Sequence, residues 1–294
     1  FGGYAITGSV KEEKAMLMTG GGRNGKGCFT KSILQALGSK DDGFAVPFKI
    51  DSILQSTYTK DGDAASPEFA KLQHKRCAIS EEIPKGRKLN EALFKQLTGG
   101  DPLSARRLRC DPFVIDPKFK MFLSGNYLPE IDNSHDIGLR ERLLIVPFTQ
   151  SFTGDKCNPN IKTLLLTDDC QCALLSLFVE YCLKWQKTGL LTSKNMATFK
   201  QNYLDENDVI GNFIDEYCER GTSNEYTISR NDFLNRIKKN VRSINSMTDI
   251  SILEAVQKIE GISYRRSTGG TRKIFGIKWR NPEMDSLIQD LPEE

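Results

Sequence analysis

Apolar residues in the first half of the chain fall into short runs split by polar and glycine-rich stretches. Ala15-Met16-Leu17-Met18, Cys77-Ala78-Ile79-Ser80, Met121-Phe122-Leu123 and Leu143-Leu144-Ile145-Val146 are runs of the length expected for buried strands, and a shorter one lies near Phe44–Phe48. Helical spacing intervenes. Ile33, Leu34 and Leu37 share a face before Gly38, and Leu89, Leu93 and Leu97 recur at i+4, which predicts a helix over 88–98 closed by Gly99-Gly100. A short helix is expected near Pro67–Gln73, and 39–66 reads mostly as loop. Strands alternating with helices predict an α/β fold with a largely parallel sheet.

After Phe148 the pattern changes. Residues 161–186 read as helix, with Leu174, Phe178, Tyr181 and Trp185 spaced for one face, and 186–206 as polar helix plus linker. Val209-Phe213-Tyr217, Phe233-Ile237 and Ile252-Val256-Ile259 then predict three helices. The segments Gly261–Arg265 and Lys273–Trp279 flank Ser267-Thr268-Gly269-Gly270, a hairpin signal. Three helices and a hairpin outline a winged-helix-like module. The expected organisation is a core over 1–150, a helical lid or linker over 151–206, the winged-helix-like module over 207–282 and an acidic tail over 283–294.

Composition narrows the function classes. The chain has 294 residues, 38% hydrophobic and 27% charged, which suits a folded protein of one large or two smaller domains. No apolar run approaches the roughly 18–20 residues of a membrane-spanning helix, so no membrane partner is expected. Lys+Arg total 41 against Asp+Glu 38, a net charge of +3, so nucleic-acid binding would have to come from local patches. The eight cysteines form no CxxC pair, and several sit in apolar patterns, as reduced thiols of an intracellular protein do. The chain begins Phe1-Gly2-Gly3 without a signal peptide and reads as part of a longer protein.

The strongest chemical signal is Gly20-Gly21-Gly22-Arg23-Asn24-Gly25-Lys26-Gly27-Cys28, between an apolar strand and an amphipathic helix. Glycines let backbone N–H groups turn toward phosphates, and the helix adds its positive N-terminal end. Lys26 would meet the β- and γ-phosphates of ATP. Position 27 is Gly where a phosphate loop normally carries Ser or Thr for Mg²⁺, so the metal would rest more on carboxylates and water. Glu81 and Glu82 follow the strand at Cys77 and suit metal holding and water polarisation; Glu81 is assigned mainly to Mg²⁺ and Glu82 to water, with the reverse order open. Asn126 closes Phe122-Leu123-Ser124-Gly125-Asn126 and could orient the water or sense the γ-phosphate. By themselves a Glu pair after a strand is most often solvated loop, and an Asn in a turn carries no function.

In this order the motifs resemble those of superfamily 3 helicases, a branch of the AAA+ ATPases, and among them the poxvirus-type primase-helicase NTPases of large DNA viruses, phages and mobile elements. Leu89–Arg106 and Phe122–Pro129 carry the resemblance, which runs from about Gly2 to Asp215. It implies an AAA+-like P-loop NTPase core and a β-hairpin within Ser104–Phe119 whose Arg106, Arg107 and Arg109 would contact single-stranded DNA. It also implies an arginine finger acting on a neighbouring subunit's nucleotide, with Arg142 the best match and Arg140 the reserve, and hence a homohexamer. The alternative for both arginines is surface pairing with Asp136 and Glu141. Lys118 and Lys120 are weaker DNA candidates.

In the carboxy-terminal module Arg265, Arg266, Arg272, Lys273, Lys278 and Arg280 occur between 261 and 280 with no acidic residue, and Arg236, Lys238, Lys239 and Arg242 form a second cluster. With Tyr264 and Trp279 among them, the wing suits duplex or forked DNA, although a module that only aids assembly would look similar. The expectation is an ATP- and Mg²⁺-dependent replicative DNA helicase domain working where a virus, phage or mobile element replicates its DNA, with a primase domain upstream by family analogy. A nucleotide-switched remodeller or loader and a non-catalytic DNA-binding assembly module are the competing readings.

Overall fold

The computed structural model describes residues 1–40, 42–56, 67–241, 244–245, 247–267 and 269–280. Arg242, Thr268 and the expected acidic tail over 283–294 lie outside the described residues. The chain forms two compact units. One takes Phe1–Ile131 and Asp136–Tyr203; the other takes Asp132–His135 and the described residues from Leu204 onward.

The first unit runs α1 (Gly2–Ala5), β1 (Ala15–Thr19), α2 (Lys26–Ala36), β2 (Ala45–Pro47), α3 (Pro67–Ala70), β3 (Cys77–Ser80), α4 (Glu91–Gly99), β4 (Leu103–Arg106), β5 (Pro112–Ile115), β6 (Lys120–Gly125), α5 (Ile137–Arg142), β7 (Leu143–Pro147), α6 (Ile161–Leu164), α7 (Asp168–Thr188) and α8 (Lys194–Glu206). Strands β2-β3-β6-β1-β7 form one five-stranded sheet in that order, parallel throughout. Every residue of β3 and β6 is buried, which is why these strands read as unbroken apolar runs rather than alternating ones. The register pairs Thr19 with Gly125 and Ser80 with Leu123, so β1, β3 and β6 end together at one edge. Strands β4 and β5 form a separate antiparallel hairpin.

Local chemistry sets the helix ends. Asn90 accepts from the Leu93 N–H at 3.1 Å and caps α4, so the helix starts at Glu91 rather than 88, and Gly100 ends it at φ 85°. The helical stretch after Asn160 breaks between α6 and α7. Phe178 and Trp185 of α7 are buried, and the Trp185 ring lies 5.0 Å from Tyr4 with its Nε1–H donated to Glu12 at 2.7 Å. Tyr181, expected on that face, is half exposed, because the buried stripe passes through Gln171, Phe178 and Trp185.

The second unit continues α9 (Val209–Tyr217), β8 (Cys218–Arg220), β9 (Thr227–Ser229), α10 (Arg230–Asn240), α11 (Asp249–Lys258), β10 (Ser263–Arg266), β11 (Arg272–Phe275) and β12 (Ile277–Trp279). Phe213, Ile214, Phe233, Ile237, Ile252 and Val256 close its core. The sheet order is β10-β11-β9, antiparallel, while β12 pairs with β8. The run expected as one strand over 273–279 is therefore two. Gly276 divides them at φ 98°, where a Cβ would sit 2.2 Å from the Gly261 carbonyl oxygen, so only glycine fits.

Candidate functional site

The glycine-rich loop joins the end of β1 to the start of α2. Gly25 takes φ 87° at the N-cap, Gly22 φ 92° and Arg23 φ 47°, so the loop turns through left-handed backbone. Gly20 is required for a second reason: a Cβ there would lie 2.2 Å from Asn24 Nδ2 and 2.4 Å from the Phe148 carbonyl oxygen. Asn24 donates to that same carbonyl at 3.3 Å, which ties the loop to the residue after β7.

Lys26 opens α2 and is buried. Its Nζ donates to the Gly20 carbonyl at 2.7 Å, to Asn24 Oδ1 at 3.1 Å and to Asn126 Oδ1 at 3.5 Å. None of these partners carries a charge, and burial pulls the lysine's pKa below its usual value. The contact with Asn126 joins the end of β1 to the end of β6. At the end of β3, Glu81 and Glu82 are exposed. Glu81 Oε1 accepts from Thr30 Oγ1 at 2.9 Å, which ties this strand end to α2. Lys26 and Asn126 are thus in contact, and Glu81 is tied through Thr30 to the same helix as Lys26, all at the carboxyl edge of a parallel sheet, where open α/β folds bind ligands.

The oxygen donors here are two carboxylates, because Gly27 offers no side-chain oxygen. Among the described residues no group of three or more His, Cys, Asp or Glu could hold a metal alone. That set fits Mg²⁺ arriving with a nucleotide, which keeps phosphate and water ligands and needs one or two carboxylates, and does not fit a protein-caged metal.

Arg142 ends α5. Its Nη2 pairs with Glu13 and its Nη1 donates to the Gly138 carbonyl at 2.8 Å, while Nε is buried with no hydrogen-bond partner among the described residues. The ion pair expected with Asp136 or Glu141 does not form; Lys95 takes Asp136 at 3.0 Å and Lys14 takes Glu141 at 3.8 Å. Arg140 lies 3.5 Å from Gln201.

In the β4–β5 hairpin, Arg106 donates to the Cys110 carbonyl at 3.0 Å, and Arg107 donates to Gln73 at 3.0 Å and lies over Phe113. Arg109 sits in the exposed turn at φ 59°, next to the exposed Leu108, and makes no hydrogen bond or ion pair among the described residues. Lys120, expected as a weak DNA contact, is instead buried at the start of β6. It donates to the carbonyls of Thr7, Ser9 and Lys118 and lies 5.0 Å from the Tyr4 ring.

The second unit separates its basic residues into two sets. Lys278 pairs with Glu219 at 3.3 Å, Arg280 donates to the Cys218 and Asp215 carbonyls, and Lys238 pairs with Asp249 at 2.5 Å. Trp279, expected among the wing contacts, packs on Phe213 and Phe233 and donates to Asp232 at 2.7 Å. The second set is the hairpin itself. Arg265 stands opposite Lys273 and Arg266 opposite Arg272, and none of the four meets a carboxylate in an ion pair among the described residues. Arg265 lies over Phe275 at 4.6 Å and Arg272 over Tyr264 at 5.8 Å. A cleft of about 440 Å³ between α11 and the hairpin is lined by Arg230, Arg265, Arg266 and Arg272, with Glu254 the one carboxylate in its wall.

Sequence patterns did not single out Thr30 or Glu13, because each meets its partner across the fold. The missing hydroxyl at position 27 is the one local signal that points toward Thr30, one helical turn beyond Lys26.

A family model described as a family of unknown function, DUF5906, matches residues 18–142, which include Lys26, Glu81, Glu82, Asn126 and Arg142. A protein of Acanthamoeba polyphaga mimivirus that bears the name "Putative helicase" is 27% identical over 249 residues, or 80% of this chain. This chain spans 25% of the length of that relative. The apo structure of the C-terminal region of NrS-1 is similar at 12% identity and a TM-score of 0.51, over 91% of this chain and 67% of that one. Among the described residues no helix is long and apolar enough to cross a membrane. The chain is therefore similar in sequence to a viral protein named as a helicase and similar in fold to the C-terminal region of NrS-1.

Proposed function

We propose that the chain is the ATP-dependent helicase part of a replicative primase-helicase of the superfamily 3 type, acting as a homohexameric ring on single-stranded and forked DNA. The observation that carries this reading is the contact of Lys26 with Asn126, together with Glu81 tied to α2 through Thr30, at the ends of β1, β6 and β3 beside a glycine loop that opens α2. A buried ammonium whose partners among the described residues are neutral oxygens suits an anionic ligand, and the phosphates of ATP would supply that charge. Glu81 would hold the Mg²⁺ that comes with the nucleotide, Glu82 would polarise the attacking water and Asn126 would sense the γ-phosphate. Held by Glu81 and the nucleotide, Mg²⁺ would supply Lewis-acid offset of phosphate charge. Arg142 acts as the finger on a neighbouring subunit, exchanging Glu13 for phosphate oxygens. Arg109, at the exposed turn of the β4–β5 hairpin, is the first DNA contact there, with Arg106 and Arg107 behind it.

The carboxy-terminal unit acts in this reading as a winged helix. Its support is the run α9, β9, α10, α11, β10, β11, with β11 paired between β9 and β10 and the basic hairpin as wing. Four cations arranged as two like-charged cross-strand pairs favour a polyanion.

The test is DNA-stimulated ATP hydrolysis measured across protein concentrations. Specific activity is expected to rise with concentration. Lys26→Ala and Arg142→Ala are each expected to lower it by about 10²-fold or more, the scale of removing one charge-stabilising donor or a finger. Activity that survives Arg142→Ala rules out the shared site. No hydrolysis by an oligomer that binds DNA selects the non-catalytic module, and hydrolysis without forked-duplex unwinding selects the remodeller or loader.

A further inference from the structure

A phosphate loop normally follows its lysine with a hydroxyl residue that serves the metal, and this chain has Gly27 there. Crowding does not explain the glycine, because a Cβ at position 27 would meet nothing within 4 Å. One turn deeper in α2, Thr30 has a fully buried side chain whose Oγ1 lies 2.9 Å from Glu81 Oε1 and 3.2 Å from the carbonyls of Lys26 and Gly27. A hydroxyl has one proton to give. The carboxylate is the nearest of the three acceptors and the charged one, so the proton goes to Glu81. This bond is the one side-chain hydrogen bond to Glu81 among the described residues; Glu82 beside it has none.

We propose that Thr30 is a positioning residue that replaces the absent hydroxyl at 27 indirectly, fixing one oxygen of Glu81 so that the other is presented to the Mg²⁺ of a bound nucleotide. Thr30 is too deeply buried to reach an incoming cation itself, so it acts through the carboxylate. The inference deepens the nucleotide-site reading and rests on it. It also divides the labour of the acidic pair: Glu81, anchored, serves the cation, and Glu82, unanchored, is left for water. A buried hydroxyl holding a metal-side carboxylate belongs to the class of outer partners whose loss lowers metal affinity about 10–100-fold.

The test uses equilibrium binding of a fluorescent, non-hydrolysable ATP analogue to the 294-residue chain, once in EDTA and once in a MgCl₂ titration. Thr30→Val keeps the shape and removes the hydroxyl. It is expected to leave the EDTA affinity unchanged and to raise the half-saturating Mg²⁺ concentration about tenfold or more. Thr30→Ser is expected to behave as the parent, and Gly27→Ser placed in the Thr30→Val background to recover most of the Mg²⁺ response, since the space at 27 is open. Should the valine variant not fold, Thr30→Cys, a similar volume with a weak donor, carries the same comparison. An unchanged Mg²⁺ titration in Thr30→Val overturns the proposal and leaves Thr30 as a helix residue bonding back to its own backbone. An equal loss with and without Mg²⁺ also overturns it, by assigning the effect to loop packing. If the parent binds the analogue and Lys26→Ala does not, the nucleotide site stands whatever Thr30 does. If the parent fails to bind, both readings fall together.

Discussion

The first unit buries cations that have no carboxylate partner, and the second displays them on its surface. Lys26 and Lys120 are both enclosed, each held by neutral oxygens: Gly20, Asn24 and Asn126 for one, Thr7, Ser9 and Lys118 for the other. Arg265 and Arg272 stand on an exposed hairpin and rest on aromatic faces. Enclosure holds an ammonium in one place among fixed acceptors, which suits the proposed phosphate contact. Display leaves a guanidinium free to move, which suits the proposed contact with a nucleic-acid backbone. Lys26 and Lys120 also differ from each other. Lys26 follows the carboxyl end of β1, beside Asn126 and near Glu81, whereas Lys120 begins β6 at the opposite edge, where nothing catalytic gathers. Burial alone therefore does not mark a site; the edge of the sheet does.

The strictness of the enclosed site gives the largest expected effect. Gly20→Ala would drive a methyl into the Phe148 carbonyl, a backbone group that cannot step aside. A cost of about 1–3 kcal/mol follows, and the thermal midpoint should fall by about 2–4 °C per kcal/mol, with nucleotide binding lost in parallel. Gly27→Ala, seven residues on in the same loop, meets open space and should leave the midpoint unchanged. Equal melting of the two variants would mean that the loop is not held as described. An alanine at 20 that melts normally but binds no nucleotide would place the constraint on the ligand instead.

Lys120 sharpens the comparison through pH. Burial lowers its pKa from 10.5 to about 8. Between those values the folded chain binds fewer protons than the unfolded chain, so this group's destabilising effect is complete below pH 8 and is relieved as pH rises through the window. Cys77 acts oppositely: burial raises its thiol from 9.0 to about 12, so it lowers stability as pH climbs above 9. The interval from pH 8 to 9 isolates the lysine. Denaturant unfolding of the parent and of Lys120→Met should diverge there, with the parent gaining up to about 1 kcal/mol per pH unit relative to the variant. A flat difference would mean that the ammonium stays charged in its cage of carbonyls and that its cost is met by hydrogen bonds alone.

How far the sequence revealed these arrangements depended on the separation of the partners. The glycine-rich loop was legible because strand, glycines, lysine and helix are consecutive, and the two carboxylates because they follow an apolar strand. Asn126 was legible as a strand-end amide, but its contact with Lys26 needs the pairing of β1 with β6. Lys120 was set behind the hairpin arginines as a weaker DNA candidate, but its burial was not foreseen, because its partners Thr7 and Ser9 come from more than a hundred residues away. Trp279 was misread for a related reason. It follows a basic stretch, but β12 leaves the wing at Gly276 and turns its indole into the core. Arg142 was singled out without its partner, since Glu13 precedes β1 and the contact exists only once β1 and β7 pair. Local order reveals motifs, and sheet register decides which of their side chains meet.

The displayed set gives the smallest effect on stability and the clearest contrast in kind. Arg266 faces Arg272 across the hairpin and makes no ion pair or cation–π contact among the described residues. Like charges opposite one another cost about 0.2–1 kcal/mol, so Arg266→Ala should leave the unfolding free energy unchanged or raise it within that range. If the wing meets DNA, the same variant should weaken binding on all sequences alike and reduce the salt slope of binding by about one. Adding Arg272→Ala should reduce the slope again by a similar step, as independent phosphate contacts do. Lys26→Ala should leave that salt slope untouched while ending hydrolysis, which would separate the enclosed cation from the displayed ones by function as well as by position. An Arg266→Ala chain that is more stable and binds DNA with an unchanged slope would break the comparison: the like-charged hairpin would then face something other than nucleic acid, and Arg265, Arg266 and Arg272 of the cleft beside α11 would need an anionic protein surface as their partner.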